Sequence, residues 1–179
     1  CLERPGMSRA VVVSDARKLR VVEREAFERQ VRQQTAALRQ AAARLEASQQ
    51  EITKEADAAM AARSEAGLAE RVHQGNDSAR RLAQRLKRNG LQSLPLTETL
   101  QEAARLGDQA ERDAMRAQDA LREAAGGSNA AQAKAREAQK AAETALRDMV
   151  DLLDRDDDAA TAQRRADRLA EGIAKDRKS

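Results

Sequence analysis

Aromatic side chains are almost missing from this 179-residue chain, which has one phenylalanine, Phe27, and neither tryptophan nor tyrosine. That shortage argues against an ordinary globular interior, because large aromatic and branched side chains each contribute roughly 1.5–3 kcal/mol on burial and alanine offers far less area. Forty of the hydrophobic residues are alanine, leaving about 33 larger ones. The single cysteine, Cys1, excludes an internal disulfide. It stands open to three readings: a fragment that starts there, a lipid-modified N-terminal cysteine, or an intermolecular disulfide. No apolar run approaches the roughly 18 residues needed to span a bilayer, and the opening residues do not read as a charged-then-apolar leader with a cleavage site. A one-signed surface is missing too: 33 basic and 30 acidic residues are interspersed. The isoelectric point near 9.3 therefore rests on a few charges, and no chain-wide cationic field of the kind that holds phosphates is expected.

What remains is abundant Ala, Glu, Lys, Leu, Arg and Gln, only two prolines and a mean hydropathy of -0.78, the composition of long helices. Residues 1–22 stand apart. Ser8-Arg9-Ala10-Val11-Val12-Val13 and Lys18-Leu19-Arg20-Val21-Val22, separated by Ser14-Asp15-Ala16-Arg17, read as two short strands, a β-type remnant or linker. A lone hairpin is marginal in water, so such strands need a further sheet or a helix to pack on.

From residue 23 to 90 the pattern is helical. Val31, Leu38, Leu45, Ile52, Ala59 and Ala66 recur every seven residues. With Val31 as an a position, the d positions are Phe27, Gln34, Ala41, Ser48, Glu55 and Ala62, half of them small or polar. A second stripe, Leu68, Val72, Gly75, Ala79, Leu82 and Leu86, is out of phase with the first, which predicts a bend or break within 64–78, first at Ser64 to Gly67. The turn-forming Gly75-Asn76-Asp77-Ser78 offers a second interruption, although the spacing survives it and leaves a continuous helix open there. Asn89-Gly90 reads as a helix stop, and Pro95 as the first residue of the next helix.

Residues 91–155 carry the clearest signal. Leu96, Leu100, Ala103, Gly107, Ala110, Ala114, Ala117, Leu121 and Ala124 keep alternating steps of four and three. The same steps resume after Gly126-Gly127-Ser128 at Ala131, Ala135, Ala138, Ala142, Ala145, Met149 and Leu152. Two adjacent glycines cost roughly 1 kcal/mol each inside a helix, and Ser128 or Asn129 can cap the next helix, so an antiparallel hairpin with an alanine-rich seam is predicted. The acidic run Asp154-Arg155-Asp156-Asp157-Asp158 suits a helix N-terminus, and Ala159, Ala162, Ala166, Leu169 and Ile173 suggest that a further helix starts around 156 and continues to 179.

Few residues suggest chemistry. Asp154, Asp156 and Asp158 imitate the first ligands of a calcium loop, but Ala159 stands at the turn position where glycine is needed and Arg165 at the twelfth position where a bidentate glutamate is needed. His73 is the only histidine and has no second His or Cys to complete a zinc site. There is no glycine-rich phosphate loop, paired catalytic carboxylates or nucleophile elbow, so no catalytic residue, cofactor site or metal ligand is assigned and a non-enzymatic role is expected. The one dense basic patch is Arg80, Arg81, Arg85, Lys87 and Arg88, with Arg81, Arg85 and Arg88 on one helical face. It could take an anion or an acidic partner. The scarcity of stacking aromatics disfavours nucleic acid.

The stretch Lys18-Leu19-Arg20-Val21-Val22-Glu23-Arg24-Glu25-Ala26-Phe27-Glu28-Arg29-Gln30 resembles the junction, in large bacterial envelope proteins, where the last strand of a β-sandwich enters a long helical stalk. Residues 141–154, ending Met149-Val150-Asp151-Leu152-Leu153-Asp154, resemble the Ala/Gln-rich hairpins of such stalks. The resemblance implies an extracytoplasmic structural stalk of the bacterial periplasm or cell envelope. The expectation is thus an all-α segment of antiparallel helical hairpins or coiled coil, preceded by a β remnant. It would act as a scaffolding spacer that docks a protein partner or copies of itself through its helical faces. The alternative is a basic helical component of a nucleoprotein assembly, built on the Arg80 to Arg88 patch.

Overall fold

In a computed structural model, residues 24–90 and 95–176 are described, apart from the side chains at 24, 25 and most positions beyond 155. The β-type segment expected at 1–22 and the connection at 91–94 lie outside those residues. Four helices succeed one another: α1 (Arg24–Lys54), α2 (Ala58–Arg88), α3 (Pro95–Ala124) and α4 (Asn129–Asp176). Among the described residues there is no strand.

Local chemistry sets the helix ends. The Asp57 side chain accepts from the Ala59 and Met60 N–H groups at 2.8 and 3.1 Å and so caps α2, while the Glu55 carboxylate accepts from the Asp57 N–H. The chain therefore breaks at residues 55–57 and not within 64–78 as the stripe shift suggested. Helix α2 runs unbroken through Gly67 and Gly75. Its turn-forming residues are accommodated in the helix: Asn76 is buried and donates to Asp108 of α3 while its Oδ1 has no hydrogen-bond partner, Asp77 pairs with Arg80 and Arg81, and the Ser78 hydroxyl donates to the Gln74 carbonyl. At the far end Gly90 takes φ +71°, the left-handed value that ends a helix, and Pro95 opens α3. Gly127, at φ +92°, turns the chain between α3 and α4, where the Ser128 hydroxyl accepts from the Ala131 N–H.

The helices pack in a ring, α1 on α2, α2 on α3, α3 on α4 and α4 back on α1. Side-chain hydrogen bonds give the antiparallel register. Gln49 meets Glu65 while Arg85 meets Gln30, Asn76 meets Asp108, and Arg147 meets Glu46 while Arg39 meets Asp154. Most of the alanine seam of the hairpin is buried as expected, with Ala103, Ala110, Ala114, Ala117, Ala135 and Ala142 at 0% exposure, while Ala138 and Leu152 are half-buried and their neighbours Gln139 and Leu153 are buried in their place.

Each helix of such a ring faces two neighbours, and its buried stripe is wider than one heptad seam. On α1 the companions of Val31, Leu38, Leu45 and Ile52 are Thr35, Ala42 and Gln49; Gln34 and Ala41 are exposed and Ser48 is only half-buried. Ala59, counted on the first stripe, is exposed at the start of α2. The acidic run is also placed differently. Helix α4 continues without interruption through Asp154–Asp158 to Asp176, so no new helix starts near 156, and Ala159, Ala162 and Ala166 are exposed.

The apolar core has two halves. One gathers Phe27, Val31, Leu38, Leu82, Leu86, Leu100 and Leu153; the other gathers Ile52, Leu68, Val72, Leu121, Ala135 and Leu146. Between them, on α2 and α3, Asn76 packs against Gly107.

Candidate functional site

The basic patch read from the sequence divides in the structure. Arg80 points toward α3, where it pairs with Asp108, and it also lies 3.8 Å from Asp77. Arg81 pairs with Asp77 at 3.4 Å. Arg85 turns to α1, donating to the Gln30 and Gln34 side-chain oxygens at 2.9 and 3.4 Å, with its guanidinium 5.1 Å from the centroid of the Phe27 ring. Lys87 and Arg88 are exposed in the last turn of α2. Five neighbouring cations in sequence thus serve at least three surroundings, and the patch is not one continuous face.

Two of its members, Arg81 and Arg85, join Arg71 on the rim of a cleft between α1 and α2 of about 570 Å³. Its walls and floor include Leu38, Leu45, Val72, Leu82, Leu146 and Met149, the last two supplied by α4. Ala37 and Ala41 on α1 and Gly75 on α2 also line it. The cleft lies between two ties that hold α1 to α2: the Gln49–Glu65 hydrogen bond at one end and the Arg85 bonds to Gln30 and Gln34 at the other. Among the described residues no hydrogen bond or ion pair crosses from α1 to α2 between them. The lining holds three arginines and no carboxylate. Arg71 donates to the Gly67 carbonyl and Arg85 to amides, so neither is neutralised by an ion pair among the described residues. No family model, curated protein or solved structure matches this chain. The cleft therefore stands on its own geometry.

The first tie belongs to a buried polar layer that sequence reading missed. Glu65 is 0% exposed, and its Oε1 accepts from Gln49 Nε2 at 2.8 Å and Gln139 Nε2 at 2.9 Å, joining α1, α2 and α4. Burial raises its carboxyl above the usual range, and the two amide bonds, which favour the charged form, offset only part of that. Glu65 Oε2 and Gln49 Oε1 have no hydrogen-bond partner. A proton on Oε2 would make that oxygen a donor, which fits a raised pKa. Glu65 lies three residues before Leu68 and four before Ala69 on the buried stripe of α2, a spacing that could have flagged it.

A second polar cluster spans α2 and α3. Asn76 Nδ2 donates to Asp108 Oδ1 at 3.2 Å and lies 3.5 Å from Glu111 Oε2, and Glu111 also faces His73 Nδ1 at 3.2 Å. His73, exposed, is thus the edge of an interhelical contact. The Asp154 side chain is held by Arg39 of α1, and among the described residues no group of three His, Cys, Asp or Glu side chains could hold a metal ion. No helix among the described residues is long and apolar enough to cross a membrane.

Proposed function

We propose that this chain is a mechanical module, a bundled helical spacer that sets a distance and docks a protein partner or copies of itself. The observation that supports this most is the continuity of α4. Its 48 residues, about 72 Å at 1.5 Å per residue, run the length of the hairpin and on past it, while the other helices have 30 or 31 residues, about 46 Å. Two neighbouring helices, α3 and α1, clamp the first part of α4, which stiffens a rod that one helix alone would leave to bend. The resemblance to envelope stalks would place such a module in the bacterial periplasm or cell envelope.

Small-angle X-ray scattering with analytical ultracentrifugation tests the reading. A spacer gives a maximum dimension of about 70 Å or more for the monomer, with longer particles as copies associate. A compact particle near 46 Å across at every concentration would overturn it. Submicromolar binding of RNA at about 150 mM salt, lost when Arg81, Arg85 and Arg88 are neutralised together, would replace it with the nucleoprotein reading.

A further inference from the structure

The cleft between α1 and α2 combines features that a structural gap would not need to share. It is apolar on three helices, cationic on one edge, and bordered at one end by the hydrogen bond from Arg85 to Gln34. The volume, about 570 Å³, falls in the range of sites for small ligands, roughly 300–1,000 Å³. Its lining on α1 runs from Gln34 to Leu45, about 16 Å at 1.5 Å per residue, and the Arg85–Gln34 hydrogen bond borders one end. That length suits an extended twelve-carbon chain.

We propose that this cleft binds a single-chain anionic amphiphile, a fatty carboxylate, independently of the spacer role. Its hydrocarbon lies against Leu45, Val72 and Met149, and its carboxylate meets Arg71 or Arg81 at the rim. Charge complementarity picks the head group, because the lining offers three guanidiniums and no acid. Asp77 beside Arg81 is already shared with Arg80, so it leaves Arg81 partly available. The cleft exists because Ala37, Ala41 and Gly75 face it where larger side chains would close it. A Cβ added at Gly75 would meet no atom within 4 Å, so a bulkier residue can enter that space without displacing the helices.

The test is isothermal titration of the full chain with dodecanoate below its micelle concentration, with dodecyltrimethylammonium as the opposite-charge control. Saturable one-to-one binding of dodecanoate alone is expected. It should weaken about tenfold or more in Arg71→Gln/Arg81→Gln, since a charge-assisted bond carries about that factor. Gly75→Leu should abolish it while the helical circular dichroism signal is kept. If Gly75→Leu fails to fold, Ala41→Leu, on the opposite wall, provides the same block. Equal binding of both amphiphiles, binding retained in a folded filled-cleft variant, or no binding by the parent chain would each overturn the proposal. Two further arms separate other sources of the same charge. Binding to phosphatidylglycerol vesicles that survives Gly75→Leu, with no dodecanoate bound, would assign the arginines to a membrane surface. An acidic amphipathic peptide that binds where dodecanoate does not would assign the cleft to a protein partner.

Discussion

A methyl group at position 107 has nowhere to go. An ideal Cβ there would lie 1.6 Å from Asn76 Oδ1 and 2.6 Å from Asn76 Cγ, against the 3.4–4 Å of ordinary contact. The Asn76 side chain would have to retreat by roughly 2 Å, yet it is 0% exposed and donates to Asp108. In a solvent-facing helix, Gly→Ala gains about 1 kcal/mol. Here that gain competes with overpacking, about 1–3 kcal/mol, and with loss of a hydrogen bond to a charged acceptor, about 1.5–3 kcal/mol. Gly107→Ala is expected to be destabilising by a net of about 1.5–5 kcal/mol, or about 3–20 °C in melting midpoint for a domain of this size. Asn76→Ala removes the obstacle while Asp108 keeps Arg80 and Glu111 keeps His73. In that background Gly107→Ala should become stabilising by about 1 kcal/mol, so the double-mutant cycle shows strong coupling. Urea and thermal unfolding followed by far-ultraviolet circular dichroism measure all four proteins. A Gly107→Ala protein that melts above the parent, with no coupling to position 76, would refute the argument.

The remaining predictions concern the seam, the buried acid and the hairpin. Ala114→Leu should lower stability by about 1–3 kcal/mol in urea unfolding, because Ala114 is fully buried on α3; an unchanged midpoint would mean that the seam is loose. Glu65 has a folded-state pKa raised above its unfolded value, so its contribution is fully present below the unfolded pKa and is lost as pH rises through the folded one. Glu65→Gln should therefore flatten the fall in melting midpoint across that window and stabilise the protein above it; an unaltered pH profile would exclude a neutral acid in the core. Spin labels at Met115 and Lys140, both exposed and in a background without Cys1, should lie within about 20 Å across the α3–α4 hairpin. The roughly 37 Å that 25 residues span in one continuous helix would contradict the fold.

The all-helical class and the hairpin were legible because their causes are local. Pro95 starts α3, Gly90 and Gly127 take left-handed angles, Ser128 caps α4, and a four-three alanine repeat sets the buried seam, all within a few residues of where each acts. The break at 55–57 was local as well. Its signal was Asp57 at the head of an alanine-rich run, outweighed in a sequence reading by the change of stripe phase before Leu68. Other features depended on partners far along the chain. The spacing of Glu65 places it on the buried stripe of α2, but the partners that let a carboxyl sit there, Gln49 and Gln139, lie 16 and 74 positions away and meet its oxygen only in the fold. Gln49, Ala42 and Thr35 are buried because α1 faces α2 and α4 at once, which widens its stripe beyond one heptad seam. The arginines of α2 divide among an acid on α3, amides on α1 and a cleft, although in sequence they form one patch. The cleft itself arises where Ala37 and Ala41 meet Gly75 across two helices. Each is an ordinary small residue, and the space appears only when antiparallel packing sets them face to face, since a void belongs to the distance between backbones and not to any one side chain.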